Sequence, residues 1–344
     1  MLMIGRLVLF LVLAMVAPGA TPAAKSPCPA SPIPVFSLDG ELQDRILKLD
    51  PEAVTPTVIS NVLACAPAPR IVNLHGGRYP VFRYMVSFSD FLAGMGYPRQ
   101  SLTNPADGTY SFSGYDSAKK IAGVIAWYYE RDGLRPMLVG HSLGGFQVVK
   151  VLHLLAGPPE RRIPVWNVLR GQRESRCEIS DPLDGQTRPV VGLCLPFASS
   201  VGSGGLTRMM PNQWDMMFRL RDIPDTVEEF TGFYIGLDLL GGDLLGFGPS
   251  NHYKARNAAV VRNVRLPTAS NHGTTPDTRH LLRNPAATEW IAAYHPLHPP
   301  AWREDLDRDK AHILWVAEVW YGIRKHWVLE LQRAIKARRA HLHG

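Results

Sequence analysis

The residue with the clearest chemical potential is Ser142, which lies in the sequence MLVGHSLGG at 137–145. The apolar run before it is typical of a buried strand, and the pattern Phe146 to Leu155 after it is typical of a helix. Backbone segments come so close together at such a turn that only small residues fit, as Gly140 and Gly144 do. The turn leaves the serine hydroxyl exposed. The motif therefore predicts a nucleophile for acyl transfer, and the alternative is a serine that only caps a helix.

A serine hydroxyl needs a general base, and the base needs a carboxylate to orient it. In strand-turn-serine sites both partners follow the serine in the sequence, with the acid first. We predict His272 as the base, because it lies in a polar loop directly after the strand-like segment 258–266. The alternatives are histidines in other loops or in a helical pattern, namely His252, His280, His295 and His298.

Two aspartates are candidates for the orienting acid. Asp238 directly follows the apolar, strand-like segment 233–237, which favours it. Asp243 follows the sequence LLGG and is the alternative, because it could instead organise its own glycine turn. The choice between the two stays open at this point.

The transition state of ester cleavage carries negative charge on the carbonyl oxygen, so hydrogen-bond donors must point at that atom. The first is the backbone N–H of Leu143, which directly follows the nucleophile at the start of the helix. The second is predicted at Gly77, in the His-Gly-Gly sequence that follows the short apolar strand 71–74. Gly76 is the alternative for this second donor.

The sequence GHSLGG at 140–145, with HGG at 75–77 and GYP at 96–98 before it, resembles the secreted bacterial lipases and esterases of the α/β-hydrolase fold. The resemblance covers roughly residues 65–295. It implies the following roles: nucleophile for Ser142, base for His272, orienting acid for Asp238 or Asp243, and oxyanion donors at Leu143 and Gly77. It does not imply a substrate. The chain departs from the family pattern at the acid, where two aspartates stand in place of one.

The fold prediction is an α/β class, with a mostly parallel sheet covered by helices on both faces. Strands are predicted near 71–74, 136–140, 190–197, 231–237 and 259–266, and helices near 114–131, 143–156 and 277–293. An apolar fraction of 46% with 19% charged residues suits one large catalytic domain, which we place at 25–300.

Two insertions interrupt the alternation of strands and helices along the chain. Residues 157–189 contain turn signatures and are predicted to form a hairpin that a disulfide holds together. Residues 202–229 carry methionines and aromatic residues that predict a mobile lid over the site, or alternatively side chains that only pack on the core.

The first 24 residues predict a secretory signal peptide: one arginine, a short apolar core and an exit rich in small residues. An uncleaved membrane anchor is the alternative. A secreted or periplasmic protein meets an oxidising compartment, where four cysteines are usually paired. We predict disulfides between Cys28 and Cys65 and between Cys177 and Cys194.

The C-terminal segment, 301–344, is predicted to be a helical extension separate from the catalytic sheet, with a basic end. Together with the net charge of +7, this end could contact an anionic membrane, although a helix that packs back on the domain is favoured. No nucleic acid is predicted as partner, since the charge forms no stripe with interleaved aromatic residues.

The function prediction is therefore a secreted serine carboxylester hydrolase that acts on a small-molecule or lipid ester through an acyl-enzyme. No cofactor and no metal are predicted, because the chain has no metal-binding or phosphate-loop motif. A thioesterase, a polyester depolymerase or a peptidase would use the same residues. A non-catalytic binding protein on the same fold is the alternative from another class.

Overall fold

The computed structural model describes residues 38–77, 79–204, 207, 208, 210–236, 238, 252–267 and 271–343. The α-helices in these ranges are α1 (Gly40–Leu47), α2 (Pro56–Asn61), α3 (Tyr79–Gly94), α4 (Ala118–Asp132), α5 (Leu143–Leu155), α6 (Pro285–Ala293) and α7 (Lys310–His343). The strands are β1 (Ile71–His75), β2 (Phe112–Ser113), β3 (Met137–His141), β4 (Trp166–Asn167), β5 (Gln172–Arg173), β6 (Glu178–Ser180), β7 (Thr187–Pro189), β8 (Leu195–Val201), β9 (Asp222–Ile223), β10 (Val227–Ile235), β11 (Lys254–Ala255) and β12 (Val260–Leu266).

The central sheet has the strand order β12-β10-β8-β3-β1-β2, and all of its pairs are parallel. From β1 the chain first adds β2 on one side, and from β3 onward it adds strands on the other side. The order in which strands are added therefore reverses between β1 and β3. Parallel sheets form a crevice at such a point, at the carboxyl ends of their strands. The predicted α/β class with a parallel sheet is confirmed.

Alternate residues of the strands face two separate cores. On β1, Ile71 packs in the core that contains α3, α6 and α7, whereas Val72 packs in the core that contains α4 and α5. On β3, Val139 packs in the first of these cores and Leu138 in the second. Because both faces of the sheet are covered at β1 and β3, these two strands are largely apolar runs rather than alternating ones.

The C-terminal helix α7 is part of the first core. Trp315, Trp320 and Trp327 are fully buried there. Glu330 is also buried and binds the Arg135 guanidinium, with 2.5 Å between Oε1 and Nη2. The helix is therefore not separate from the sheet, since these large side chains complete the core beneath β8, β10 and β12, in line with the favoured alternative of a helix that packs back on the domain.

The basic end of α7 forms ion pairs within the chain. Arg333 contacts Glu330 at 2.9 Å, and Arg339 contacts Asp44 of α1 at 2.8 Å. Across the described ranges, no helix combines the length and the apolar character that a membrane crossing requires.

Local capping explains where the observed helices differ from the predicted ranges. Helix α4 begins at Ala118 because the Ser117 side chain accepts the N–H of Lys120, at 3.2 Å, and so caps it. The predicted helix 277–293 is divided into a 3₁₀ turn, Arg279–Arg283, and α6. The break lies at Asn284, because a residue before proline is disfavoured in the helical conformation.

The first insertion forms two short hairpins, β4 with β5 and β6 with β7. The predicted disulfide between Cys177 and Cys194 is wrong, since both thiols are free. Cys177 is held in the hairpin, where its carbonyl accepts the N–H of Val190. The Cys194 Sγ instead lies 3.5 Å from the carbonyl oxygen of Asp225.

Cys65 is disulfide-bonded. Its predicted partner, Cys28, and the predicted signal peptide at 1–24 lie outside the described residues.

Candidate active site

Ser142 is held in a strained turn between β3 and α5. Its φ of 54° and ψ of −120° make it the one non-glycine residue with positive φ in the described ranges. The backbone segments approach so closely that a Cβ at Gly144 would lie 2.1 Å from the Leu74 carbonyl oxygen. A Cβ at Gly140 would lie 2.5 Å from the Gly144 carbonyl oxygen. Strain of this kind persists where the surrounding structure enforces it, and it presents the serine at the carboxyl edge of the sheet.

Ser142, His272 and Asp238 form one hydrogen-bonded chain. The Ser142 Oγ lies 2.9 Å from the His272 Nε2, and the His272 Nδ1 lies 2.6 Å from the Asp238 Oδ2. Because a carboxylate only accepts, the imidazole proton is on Nδ1, and the lone pair of Nε2 faces the serine hydroxyl. This tautomer is the one that can remove a proton from Ser142.

The three residues come from three separate strand ends. Ser142 follows β3, Asp238 follows β10 and His272 follows β12, so parallel pairing places all of them at the same edge. The His272 side chain is 17% exposed and the Asp238 side chain 7%. At this low exposure the hydrogen bond between them is little weakened by solvent.

His141 holds the backbone of His272 by a hydrogen bond, a contact that the sequence did not reveal. Its buried Nε2–H donates to the backbone carbonyl oxygen of His272, at 2.6 Å. Burial, and next the neighbouring His272, lower the pKa of His141 to about 3, so the ring is neutral at ordinary pH. The only sequence signal is its place beside Ser142, at the end of the strand.

Ser203 and Arg221 hold the turn from the other side and were also missed. The Ser203 hydroxyl donates to the Ser142 carbonyl oxygen at 2.7 Å. The Arg221 Nη2 donates to the Ser203 carbonyl oxygen at 2.5 Å, and its guanidinium lies 4.5 Å from the centre of the Tyr253 ring. These contacts join distant segments, so residue spacing could not reveal them.

Two of the candidate oxyanion donors, Leu143 and the alternative Gly76, lie next to Ser142. Leu143 is the first residue of α5, where an N–H has no acceptor inside the helix. A Cβ on Gly76 would lie 3.0 Å from the Ser142 Cβ, so the loop after β1 directly contacts the serine. Gly77 is the next residue of this loop; it is exposed, and a Cβ there would lie 2.6 Å from the Tyr115 hydroxyl oxygen.

The other candidate histidines have other neighbours. His280 contacts Asp309, His295 stacks on His298, and the His252 ring lies 5.0 Å from that of Tyr234. The alternative acid, Asp243, lies outside the described residues.

The second insertion lies along α5. The Lys150 Nζ is 3.4 Å from the Asp215 Oδ1, and the His153 Nε2 donates to the carbonyl oxygens of Arg219 and Asp222. These helix positions are seven to ten residues past Leu143, which corresponds to about 10–15 Å from the serine end of α5. The contacts attach Asp215, Arg219 and Asp222 to this part of α5, and the lid over Ser142 stays a prediction. Phe218 in the same segment is 87% exposed, so its ring does not pack on the core.

No protein-family model matches the chain, and no curated protein matches its sequence. Among solved structures, the chain is similar to "RedJ with PEG molecule bound in the active site", with a TM-score of 0.28 and 12% sequence identity. The match covers 64% of this chain and 92% of that chain. Neither the fold nor the function of this chain rests on a likeness of this size.

Proposed function

We propose that the chain is a serine hydrolase of the α/β-hydrolase fold that cleaves carboxylic ester bonds through an acyl-enzyme on Ser142. The observation that carries this proposal is the continuous hydrogen-bonded chain from Asp238 through His272 to Ser142. A structural serine needs neither a strained backbone nor a correctly oriented imidazole, and Ser142 has both.

In the first half of the reaction, the Ser142 Oγ attacks the acyl carbonyl carbon, and its proton passes to the His272 Nε2. The carbonyl oxygen becomes an oxyanion, which the N–H groups of Leu143 and Gly77 stabilise. The carbon–oxygen bond of the ester then breaks, and the alcohol leaves with the proton from His272.

In the second half, water attacks the acyl-enzyme and gives its proton to the His272 Nε2. The Ser142 Oγ leaves the carbonyl carbon and recovers this proton, and the carboxylic acid departs. Asp238 stays ionised throughout and stabilises the imidazolium that forms twice in each turnover.

A panel of substrates tests this function. Wild type and Ser142→Ala are compared on p-nitrophenyl esters, triglycerides, acyl-CoA thioesters, polyhydroxybutyrate and a peptide amide, with Ser60→Ala as a control at an exposed serine of α2. We expect ester turnover by wild type and Ser60→Ala that Ser142→Ala lacks. Turnover of the thioester or the amide alone would contradict the ester assignment, and turnover of polyhydroxybutyrate alone would identify a polyester depolymerase. No Ser142-dependent turnover at all would favour a binding protein.

We also propose that the protein is secreted or periplasmic. The first 24 residues have the composition of a signal peptide, and the disulfide at Cys65 suits an oxidising compartment. N-terminal sequencing of the protein from its native culture tests this. A new N-terminus near residues 17–24 is expected, and an intact first residue on intracellular protein would contradict it.

A further inference from the structure

Three metal-ligating side chains converge on the surface next to the start of α7. His280 lies in the 3₁₀ turn Arg279–Arg283, Asp309 ends the 3₁₀ turn Glu304–Asp309, and His312 lies in the first turn of α7. Each side chain offers one ligand atom, and the three atoms lie within 4.8 Å of one another. In the described part of the chain, this is the one group of three or more such residues with that geometry.

Two of the three spacings between these atoms match the edges of a metal tetrahedron. Zinc binds histidine nitrogen and carboxylate oxygen at about 2.0–2.1 Å, which places neighbouring ligand atoms of a tetrahedral site about 3.3–3.4 Å apart. The His280 Nε2 lies 3.3 Å from the Asp309 Oδ1 and 3.5 Å from the His312 Nδ1.

Direct hydrogen bonds explain this arrangement less well. Hydrogen bonds from N–H to oxygen are usually 2.7–3.2 Å long, and the contact of the His280 Nε2 with Asp309 is longer than that. Its contact with the His312 Nδ1, at 3.5 Å, is longer still. The His280 Nε2 also carries at most one proton, which it would have to share between Asp309 and His312 at these long distances. A cation shared by all three atoms removes both difficulties.

We propose that His280, Asp309 and His312 bind a divalent transition-metal ion of the zinc class. The residue types are those that zinc selects, and the fourth tetrahedral position is left to solvent. The His280 side chain is 41% exposed, so an ion can enter directly from solvent.

The ion would join the segment that carries His272 to the C-terminal helix. His280 is eight residues after His272, and the segment between them is already attached to α3, where the Ser87 hydroxyl lies 2.5 Å from the Asp277 Oδ1. The N–H of Arg279 donates to the same hydroxyl. The metal would add a second attachment, so its role is structural and independent of the ester chemistry.

Isothermal titration of the full-length chain with ZnCl₂, after dialysis against EDTA, tests the proposal. We compare wild type with His280→Ala, Asp309→Asn and His312→Ala, and use His298→Ala as a control at another exposed histidine. We expect one zinc ion per chain for wild type and for the control. Each ligand variant should bind at least roughly tenfold more weakly, since even loss of a residue behind a ligand costs about 10–100-fold.

Two results would overturn the proposal: no zinc binding by wild type, or binding that the three ligand variants do not weaken. A double variant, His341→Ala with His343→Ala, tests whether the His-x-His sequence at the end of the chain accounts for the signal. Binding lost in that variant alone would also refute the site. Circular dichroism shows that each variant is folded. The wild-type protein should hydrolyse esters at the same rate before and after dialysis against EDTA, so that the outcome for zinc is separate from that for the proposed function.

Discussion

The Nε2–H of His141 donates to the backbone carbonyl oxygen of His272, at 2.6 Å. The two rings lie 5.3 Å apart, with His141 completely buried between the sheet and the loop that carries His272. This bond acts on the backbone of His272, whereas Asp238 acts on its ring. The imidazole is therefore oriented from two independent directions.

His141→Phe is expected to lower kcat by about 100-fold, because a small displacement of a reacting group has an effect of that size. KM should stay close to wild type, since His141 is positioned behind His272 and away from a bound substrate. His141→Gln keeps an N–H donor and should recover much of kcat. Steady-state kinetics of the two variants with a p-nitrophenyl ester make the comparison, and an unchanged kcat in His141→Phe would show that the contact has no positioning role.

Asp238→Asn is expected to reduce kcat/KM by roughly 10³–10⁴-fold, because an amide no longer selects the imidazole tautomer that has its lone pair on Nε2. Asp243→Asn is the matched control and should remain near wild type. Both variants are measured with the same ester. Equal and mild effects of the two substitutions would contradict the role proposed for Asp238.

The parallel sheet and the order of Ser142, Asp238 and His272 could be predicted from the sequence, because apolar runs, a glycine-flanked serine and strand-end polar residues are all local signals. The helix at the C-terminus was also predicted, but its burial in the core could not be. Its buried Glu318 and Glu330 make the sequence of α7 look like a solvated helix. Their partners, Arg262 and Arg135, are far away in the chain.

Long-range contacts also limit what the sequence reveals about cysteines and about the surroundings of the site. The even number of cysteines suggested two disulfides, but Cys177 and Cys194 lie in separate hydrogen-bonded segments. Ser203 and Arg221 support the serine turn through backbone carbonyls, and no spacing rule predicts such contacts.

The buried Glu229 should make the stability of the protein depend on pH in the acid range. Burial alone would raise its pKa, but the hydrogen bond with His326 and the charges of Arg262 and Lys325 outweigh burial and lower the pKa to about 2. The unfolded chain has a pKa near 4.5 at this residue. The native state therefore gains stability above about pH 4.5 and loses it as the pH falls toward about 2, by about 3 kcal/mol in all.

Urea unfolding of wild type and Glu229→Gln measures this contribution. At neutral pH the variant should have the lower free energy of unfolding, and the difference should shrink markedly at about pH 3. Glu178→Gln, at an exposed glutamate of β6, is the control and should show no such change. A difference between Glu229→Gln and wild type that is the same at both pH values would contradict the pKa argument.

The most direct measurement for the central claim is covalent labelling with a fluorophosphonate, followed by mass spectrometry of the modified peptide. These probes react with a serine whose hydroxyl an adjacent base activates. We predict one label on Ser142, lost in Ser142→Ala and strongly slowed in His272→Ala. An unlabelled Ser142 in the folded wild-type protein, or labelling that does not depend on His272, would contradict the account.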